Sequence, residues 1–278
     1  MCANTSKNCY RFISASTMAV DLPLRRNGGA PPCFSIITVS YNAMSALPAT
    51  TESLRNQTCK AYEWVVVDGE STDGSVAWLQ DQAPDFFSSE PDSGIYDAMN
   101  KAVAAAKGEW LFFLNAGDRF ADSRVLADIA AEIDMATNAA IRPSIVYGDV
   151  VYFGDKGRRR RRFNWLTRSR LVFGDLCHQA TFVRRDLFVA QGGFDTTLRY
   201  NADFDWFIKA FRGGAQLHYV PRDIALFHDA GAHVLNHEKS EAERNVVRAR
   251  YCRRPLWLLG HWALRLELRL RRHLEKAT

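Results

Sequence analysis

The sequence lacks the patterns that several large classes of protein need. Its six cysteines (Cys2, Cys9, Cys33, Cys59, Cys177, Cys252) form no CxxC pair and stand at no metal-ligand spacing from a histidine. That argues against a disulfide framework or a zinc centre and for a reducing cytosol as the natural home. No stretch approaches the roughly 18 uninterrupted apolar residues that would cross a bilayer. The first 32 residues are polar, end on Pro31-Pro32 and hold no signal-peptide core; they are expected to form a flexible lead, with Met18 as an alternative start. Charge of one sign is scarce too: 36 basic against 31 acidic residues leave a formal +5, and the excess sits in Arg158 to Arg162 and after Arg244. With so modest an excess and no recognised motif, nucleic acid is not an expected partner. No internal repeat is present.

What is present is the composition of one globular domain, 47% hydrophobic and 24% charged. From Phe34 onward, short apolar strands alternate with helical spacing. Strands are expected at Phe34 to Ser40, Glu63 to Val67, Phe86 to Ser88 and Trp110 to Leu114. Helices are expected at Met44 to Arg55, Gly74 to Gln80 and Ile95 to Ala106. Units of roughly 25 residues in this order predict a doubly wound α/β fold with a mostly parallel sheet. The second half is less regular: a β segment at Ser144 to Phe153, an arginine loop, a strand at Gln179 to Val183, a helix at Asp203 to Phe211, and strands near Leu217 to Val220 and Ile224 to Phe227. After Leu256, Leu259, Trp262, Ala263, Leu266 and Leu270 make one apolar stripe flanked by Arg265, Arg269 and Arg272. The stripe predicts a C-terminal amphipathic helix that either packs on protein or lies on an anionic membrane surface.

The chemistry-bearing residues gather at predicted strand ends. Ser40-Tyr41-Asn42 has none of the glycines of a GxGxxG turn, which disfavours a nicotinamide dinucleotide. Asp68 ends the second strand, where a carboxylate can accept hydrogen bonds from a base or ribose; equally, Asp68 and Asp73 can simply organise the turn and cap the helix. Asp92-Ser93-Gly94 opens the next helix, whose N–H groups and dipole favour anions. Within that helix Asp97 and Lys101 stand at i,i+4 and can pair on its surface. The fourth strand delivers Asn115 and Asp118 to its carboxyl end, where open α/β sheets bind ligands and a carboxylate can hold a metal against a phosphate.

Taken together, Val65 to Gly74, Ser89 to Lys101 and Trp110 to Asp118 resemble family 2 glycosyltransferases, inverting enzymes of GT-A-like fold. The wording around Asp92 is similar to the branch acting in bacterial exopolysaccharide, colanic-acid-type or O-antigen assembly. The resemblance covers about residues 34 to 230. It implies a domain at 33–235, with a nucleotide-binding half 33–136 and an acceptor half 137–235, between the lead 1–32 and a helical tail 236–278. It further implies donor contacts from Thr38, Ser40, Tyr41, Asn42, Asp68, Asp92, Gly94 and Asn115. A divalent Mg²⁺ or Mn²⁺ would be held by Asp118 with His228, one of two histidines flanking Gly231. His178, Gln179 and Asp205 would stand on the acceptor side, and Asp203 would be the catalytic base. The implied partners are a nucleotide-diphospho-sugar donor and a glycan or undecaprenyl-linked acceptor, in the cytoplasm or on the inner face of the plasma membrane. Four positions depart from the family pattern: Gly69, Asn115 and Gly117 stand where an acidic residue is usual, and Ala202 where an acidic residue precedes the base. A non-catalytic nucleotide-sugar or glycan-binding relative is therefore the alternative reading.

Overall fold

A computed structural model describes residues 33–154, 157–164, 166, 176–228, 236–251, 263 and 266. The lead 1–32, His233, and the apolar tail apart from Ala263 and Leu266 lie outside the described residues.

The first half follows the expected alternation. Strands β1 (Phe34–Ser40), β2 (Tyr62–Asp68), β3 (Phe86–Ser89) and β4 (Trp110–Phe113) alternate with helices α1 (Leu47–Arg55), α2 (Ser75–Asp81) and α3 (Ile95–Ala105). They pair in the order β3-β2-β1-β4, all parallel, with Ser40 opposite Asp68 and Asp68 opposite Ser89. All seven residues of β1 are buried, as a strand covered by helices on both faces requires. The chain runs outward from β1 to β3, then returns to β4 on the other side of β1. A doubly wound sheet opens its crevice at such a switch point.

Beyond β4 the sheet turns mixed. The further strands are β5 (Arg119–Phe120), β6 (Ile145–Phe153), β7 (Arg159–Arg161), β8 (Thr181–Arg184) and β9 (Leu217–His228). Strand β8 runs antiparallel to β4 and to β6, β9 runs parallel to β6, and β5 closes the edge antiparallel to β9. Parallel and antiparallel pairings are thus balanced, rather than mostly parallel. Helices α4 (Val125–Asn138), α5 (Arg185–Ala190), α6 (Ala202–Arg212) and α7 (His237–Tyr251) complete the described elements. Phe182 of β8 binds the two halves, its ring 4.4 Å from Phe112 and 5.6 Å from Phe34.

Three expectations of the second half are corrected. The two strands around Leu217 and Ile224 are one, β9. Its middle, Pro221-Arg222-Asp223, reads as a break, but the register shifts there against β6, and a bulge tolerates proline. Gly148 opposite leaves no room for a side chain, since a Cβ would stand 2.6 Å from the Arg222 carbonyl. The arginine run is not all loop: Arg159–Arg161 pairs with β6, with Arg159 and Arg160 still exposed. These three side chains have partners, with Arg160 2.6 Å from Asp223 and 3.4 Å from Asp149, Arg159 over Tyr152 and Arg161 over Phe163. Lastly, His178–Ala180 is a 3₁₀ turn, and the strand begins at Thr181.

Candidate active site

At the carboxyl ends of β1 and β2 two loops are knitted together. The Asn42 side chain accepts from Thr72 N–H (2.9 Å), and Asn42 N–H donates to the Ser71 hydroxyl (2.7 Å). Asp73 accepts from Met44 N–H (2.9 Å) and from the Ser75 backbone and hydroxyl; the Ser75 hydroxyl above all holds its pKa below the ordinary value. Asp68 is fully buried. Its carboxylate accepts from Ser71 N–H (2.7 Å), the Ser71 hydroxyl (2.6 Å) and the Ser89 hydroxyl (3.1 Å), so here it organises the turn. Thr38 is fully buried, donating to the Leu114 carbonyl (2.9 Å) and accepting from Trp64 Nε1 (3.0 Å). Ser40 is buried beside it in β1. Tyr41 is exposed above Gly69. A side chain at 69 would meet Asp92 Oδ2 at 2.6 Å; the Asp92 carboxylate fills the space that an aspartate at 69 would need. Asp92 also accepts from Gly94 N–H (2.8 Å) at the start of α3. Lys101 pairs with Asp97 (3.5 Å) and Glu90 (3.2 Å) on the surface.

The loop after β4 lies on α1. Thr50 Oγ1 accepts from Gly117 N–H (2.9 Å), and Ser53 Oγ from Phe120 N–H (3.2 Å). Gly117 has φ +101°, a conformation natural to glycine and strained for aspartate, which accounts for the missing acid. Asp118 is buried, and desolvation raises its pKa to about 7 against the pull of His178 and a hydrogen bond from Gln179. The Cys177 thiol donates to Gln179 Oε1 and fixes that amide. Asn115 Oδ1 is buried with no hydrogen-bond partner. An orphaned amide oxygen and a desolvated carboxylate on one short loop fit a hard divalent cation such as Mg²⁺ or Mn²⁺. Among the described residues no cluster of three or more His, Cys, Asp or Glu completes a cage, so phosphate oxygens and water would fill the remaining positions. The backbone of His228 ends β9 opposite Phe153; its side chain lies outside what the structure describes.

On the other side stands Asp203, in the first turn of α6. Its Oδ1 accepts from Phe204 N–H (2.9 Å) and lies 3.0 Å from Tyr96 Oη. Its Oδ2 is 2.8 Å from His178 Nδ1, while His178 Nε2 is 3.3 Å from Asn115 Nδ2. The 3₁₀ turn is what lifts His178 off the sheet into this bridge. Burial, then the charge of Asp203, keeps Tyr96 a neutral donor well above its usual pKa. Asn100 holds the approach to α6, exchanging hydrogen bonds of 2.9 Å with both backbone groups of Phe194. Gly193, with φ +70°, passes so close that a Cβ would sit 2.8 Å from Asn100 Oδ1.

Asp205 does not join this group. It is fully buried away from the cleft, 2.9 Å from Lys209 Nζ, 3.0 Å from Arg250 Nη1 and 2.9 Å from Tyr251 Oη. Asp205→Ala is expected to cost about 1.5–3 kcal/mol through these charge-assisted contacts, lowering Tm by roughly 3–12 °C. Thermal denaturation checks the loss, and nucleotide-sugar affinity of the folded protein should be unchanged.

The Asn115–Asp118 loop, His178, Gln179 and Asp203 all line one cleft of about 610 Å³, walled by Tyr152, Phe153 and Phe227 and edged by Arg119, Arg161, Arg199 and Arg244. Residues 35–189 match the model of the Glycosyl transferase family 2 domain. The chain belongs to glycosyl transferase family 2. This family 2 glycosyltransferase is 37% identical over 213 residues to a PGL/p-HBAD biosynthesis glycosyltransferase of Mycobacterium tuberculosis, covering 73% of this chain and 79% of that protein. Its fold is shared with S. aureus TarS 1–349 in complex with UDP-GlcNAc (TM-score 0.65, 19% identity, 77% of this chain and 65% of that one). The chain spans only 38% of a longer TarS chain. A mannosyltransferase from Pyrobaculum calidifontis in complex with GDP-Man and Mn²⁺ shares the fold too (TM-score 0.60, 18% identity, 84% of this chain and 71% of that one). The fold class read from the sequence therefore stands as an α/β GT-A-like glycosyltransferase. Tyr96 and α7 were missed as parts of the site: their contacts join residues about a hundred and about forty positions apart, which no local pattern announces.

Proposed function

We propose that this glycosyltransferase moves a sugar, with inversion, from a nucleotide-diphosphate donor to a saccharide hydroxyl. The observation that carries the proposal is the bridge Asn115–His178–Asp203 across one cleft. It puts oxygen donors suited to a diphosphate-bound cation at one end and a carboxylate at the other. A divalent cation bound there would offset charge on the departing diphosphate. Asp203 takes the acceptor proton. Of the roughly four lone-pair sites of a carboxylate, Tyr96 and Phe204 N–H occupy Oδ1 and His178 occupies one on Oδ2, leaving Oδ2 with one open toward the cleft. The half-buried Arg119 and Arg161 offer guanidinium groups for phosphate, and the rings of Tyr152, Phe153 and Phe227 offer faces for a sugar. That wall, and the relatives named for PGL/p-HBAD biosynthesis, support a lipid-linked acceptor in cell-surface glycan assembly. The basic, apolar tail supports a peripheral seat on an anionic membrane. Among the described residues no helix is long and apolar enough to cross one.

A panel of UDP-, GDP- and dTDP-sugars, each with Mn²⁺ or Mg²⁺, tests the donor. At a hundred times its dissociation constant the true donor should add about 2.7 kcal/mol of stability, read as a rise in Tm, and it should release nucleotide diphosphate in turnover. A panel in which no sugar nucleotide shifts Tm overturns the reading, and binding without turnover in the presence of saccharide acceptors turns it toward a non-catalytic relative.

A further inference from the structure

Helix α6, which carries Asp203, has an asparagine at its N-cap that does not cap it. Asn201 is fully buried, but its side chain makes no hydrogen bond to the first turn, the duty an N-cap asparagine usually performs. Instead it faces α7. Its amide donates to the Ser240 carbonyl (2.9 Å) and hydroxyl (3.2 Å), and its oxygen accepts from Arg244 Nε (3.0 Å). The segment just before α6 is gripped from the same helix. Glu243 Oε2 accepts from Arg199 N–H, and Oε1 from Tyr200 and Asn201 N–H, each at 2.7 Å. Three consecutive backbone donors on one carboxylate form an anion-binding concavity, here filled from within the chain. The Tyr200 carbonyl in turn lies 3.0 Å from Tyr96 Oη and shares its single proton with Asp203 Oδ1, also at 3.0 Å. The path from Glu243 to Asp203 is therefore continuous: carboxylate, backbone of 199–201, Tyr96, Asp203. Ser240 and Arg244, beside Glu243, line the cleft.

We infer that Glu243 is a positioning residue of the transfer reaction, fixing the segment that aims Asp203 at the acceptor; the inference rests on Asp203 as the base. Glu243 belongs to α7, past the residues of the family match, so α7 is a working part of the acceptor side. A misplacement of about 1 Å in a catalytic group can cost about 10²-fold in rate. Glu243→Gln puts an amide donor where one of the three N–H groups needs an acceptor.

The test is a double-mutant cycle of Glu243→Gln and Asp203→Asn. It uses nucleotide diphosphate released from the donor that the panel selects, with p-nitrophenyl glycosides and water as acceptors. Glu243→Gln should lower kcat by about 10- to 10²-fold with the donor KM within about twofold, and Glu243→Asp, which keeps the charge, should lose less. In the Asp203→Asn background the Glu243→Gln effect should shrink to under about twofold, because coupled residues are not additive. Glu243→Gln at wild-type kcat, or an undiminished effect on top of Asp203→Asn, overturns the inference alone. If Glu243→Gln does not fold, Glu243→Asp is read in its place against the same two criteria. Asp203→Asn at full activity overturns the base assignment and this inference together.

Discussion

Replacing Asp203 by asparagine is expected to slow glycosyl transfer by about 10²- to 10⁴-fold, the usual contribution of a general base, while nucleotide-sugar affinity stays the same. The amide keeps the shape of the carboxylate, so the contacts with Phe204 N–H and Tyr96 can persist and the fold should change little. What disappears is the proton acceptor. Steady-state rates with the selected donor, beside binding of that donor by calorimetry, separate the two effects. Asp205→Asn is the comparison: its carboxylate faces Arg250, Lys209 and Tyr251 rather than the cleft, so it should alter Tm and spare the rate. The opposite pattern exchanges the two roles. A variant pair that leaves transfer intact moves the base elsewhere.

The second large effect is expected at the opposite end of the cleft. Asp118→Asn should remove stimulation by Mn²⁺ or Mg²⁺ and lower kcat by about 10²- to 10³-fold, the scale seen when one stabiliser of developing charge is removed. The fold should survive, because the substitution replaces a buried carboxylate that desolvation already disfavours with a neutral group of the same size. Titrating the cation against donor-induced protection from unfolding checks this directly. An Asp118→Asn protein with an unaltered cation response would refute the assignment.

How much of this was legible in the sequence depended on distance along the chain. Strand β1 and the elements that follow it could be read because each is a short apolar or helically spaced run with a local stop signal. Asn115 and Asp118 could be placed because a strand end is a local feature. Less could be read where a residue's environment is made by distant partners. Thr38 sits on a strand near the expected donor, but Trp64 and the Leu114 carbonyl occupy its hydroxyl. Asp68 ends its strand as expected, but only the fold shows that Ser71 and Ser89 draw its carboxylate into the turn. Five consecutive arginines read as a loop because Asp149, Asp223, Tyr152 and Phe163, which partner the middle three, are invisible from within the run.

The left-handed backbone at Gly117 has a consequence for charge balance. Handedness disfavours a second acid there by about 1–2 kcal/mol, so the described loop offers a dication a single negative charge and one neutral oxygen. A bound dication keeps one positive charge that the loop leaves uncompensated until a diphosphate arrives. Cation and sugar nucleotide should therefore bind as mutual effectors, each weak alone and each raising the other's affinity by the same factor, as linkage requires.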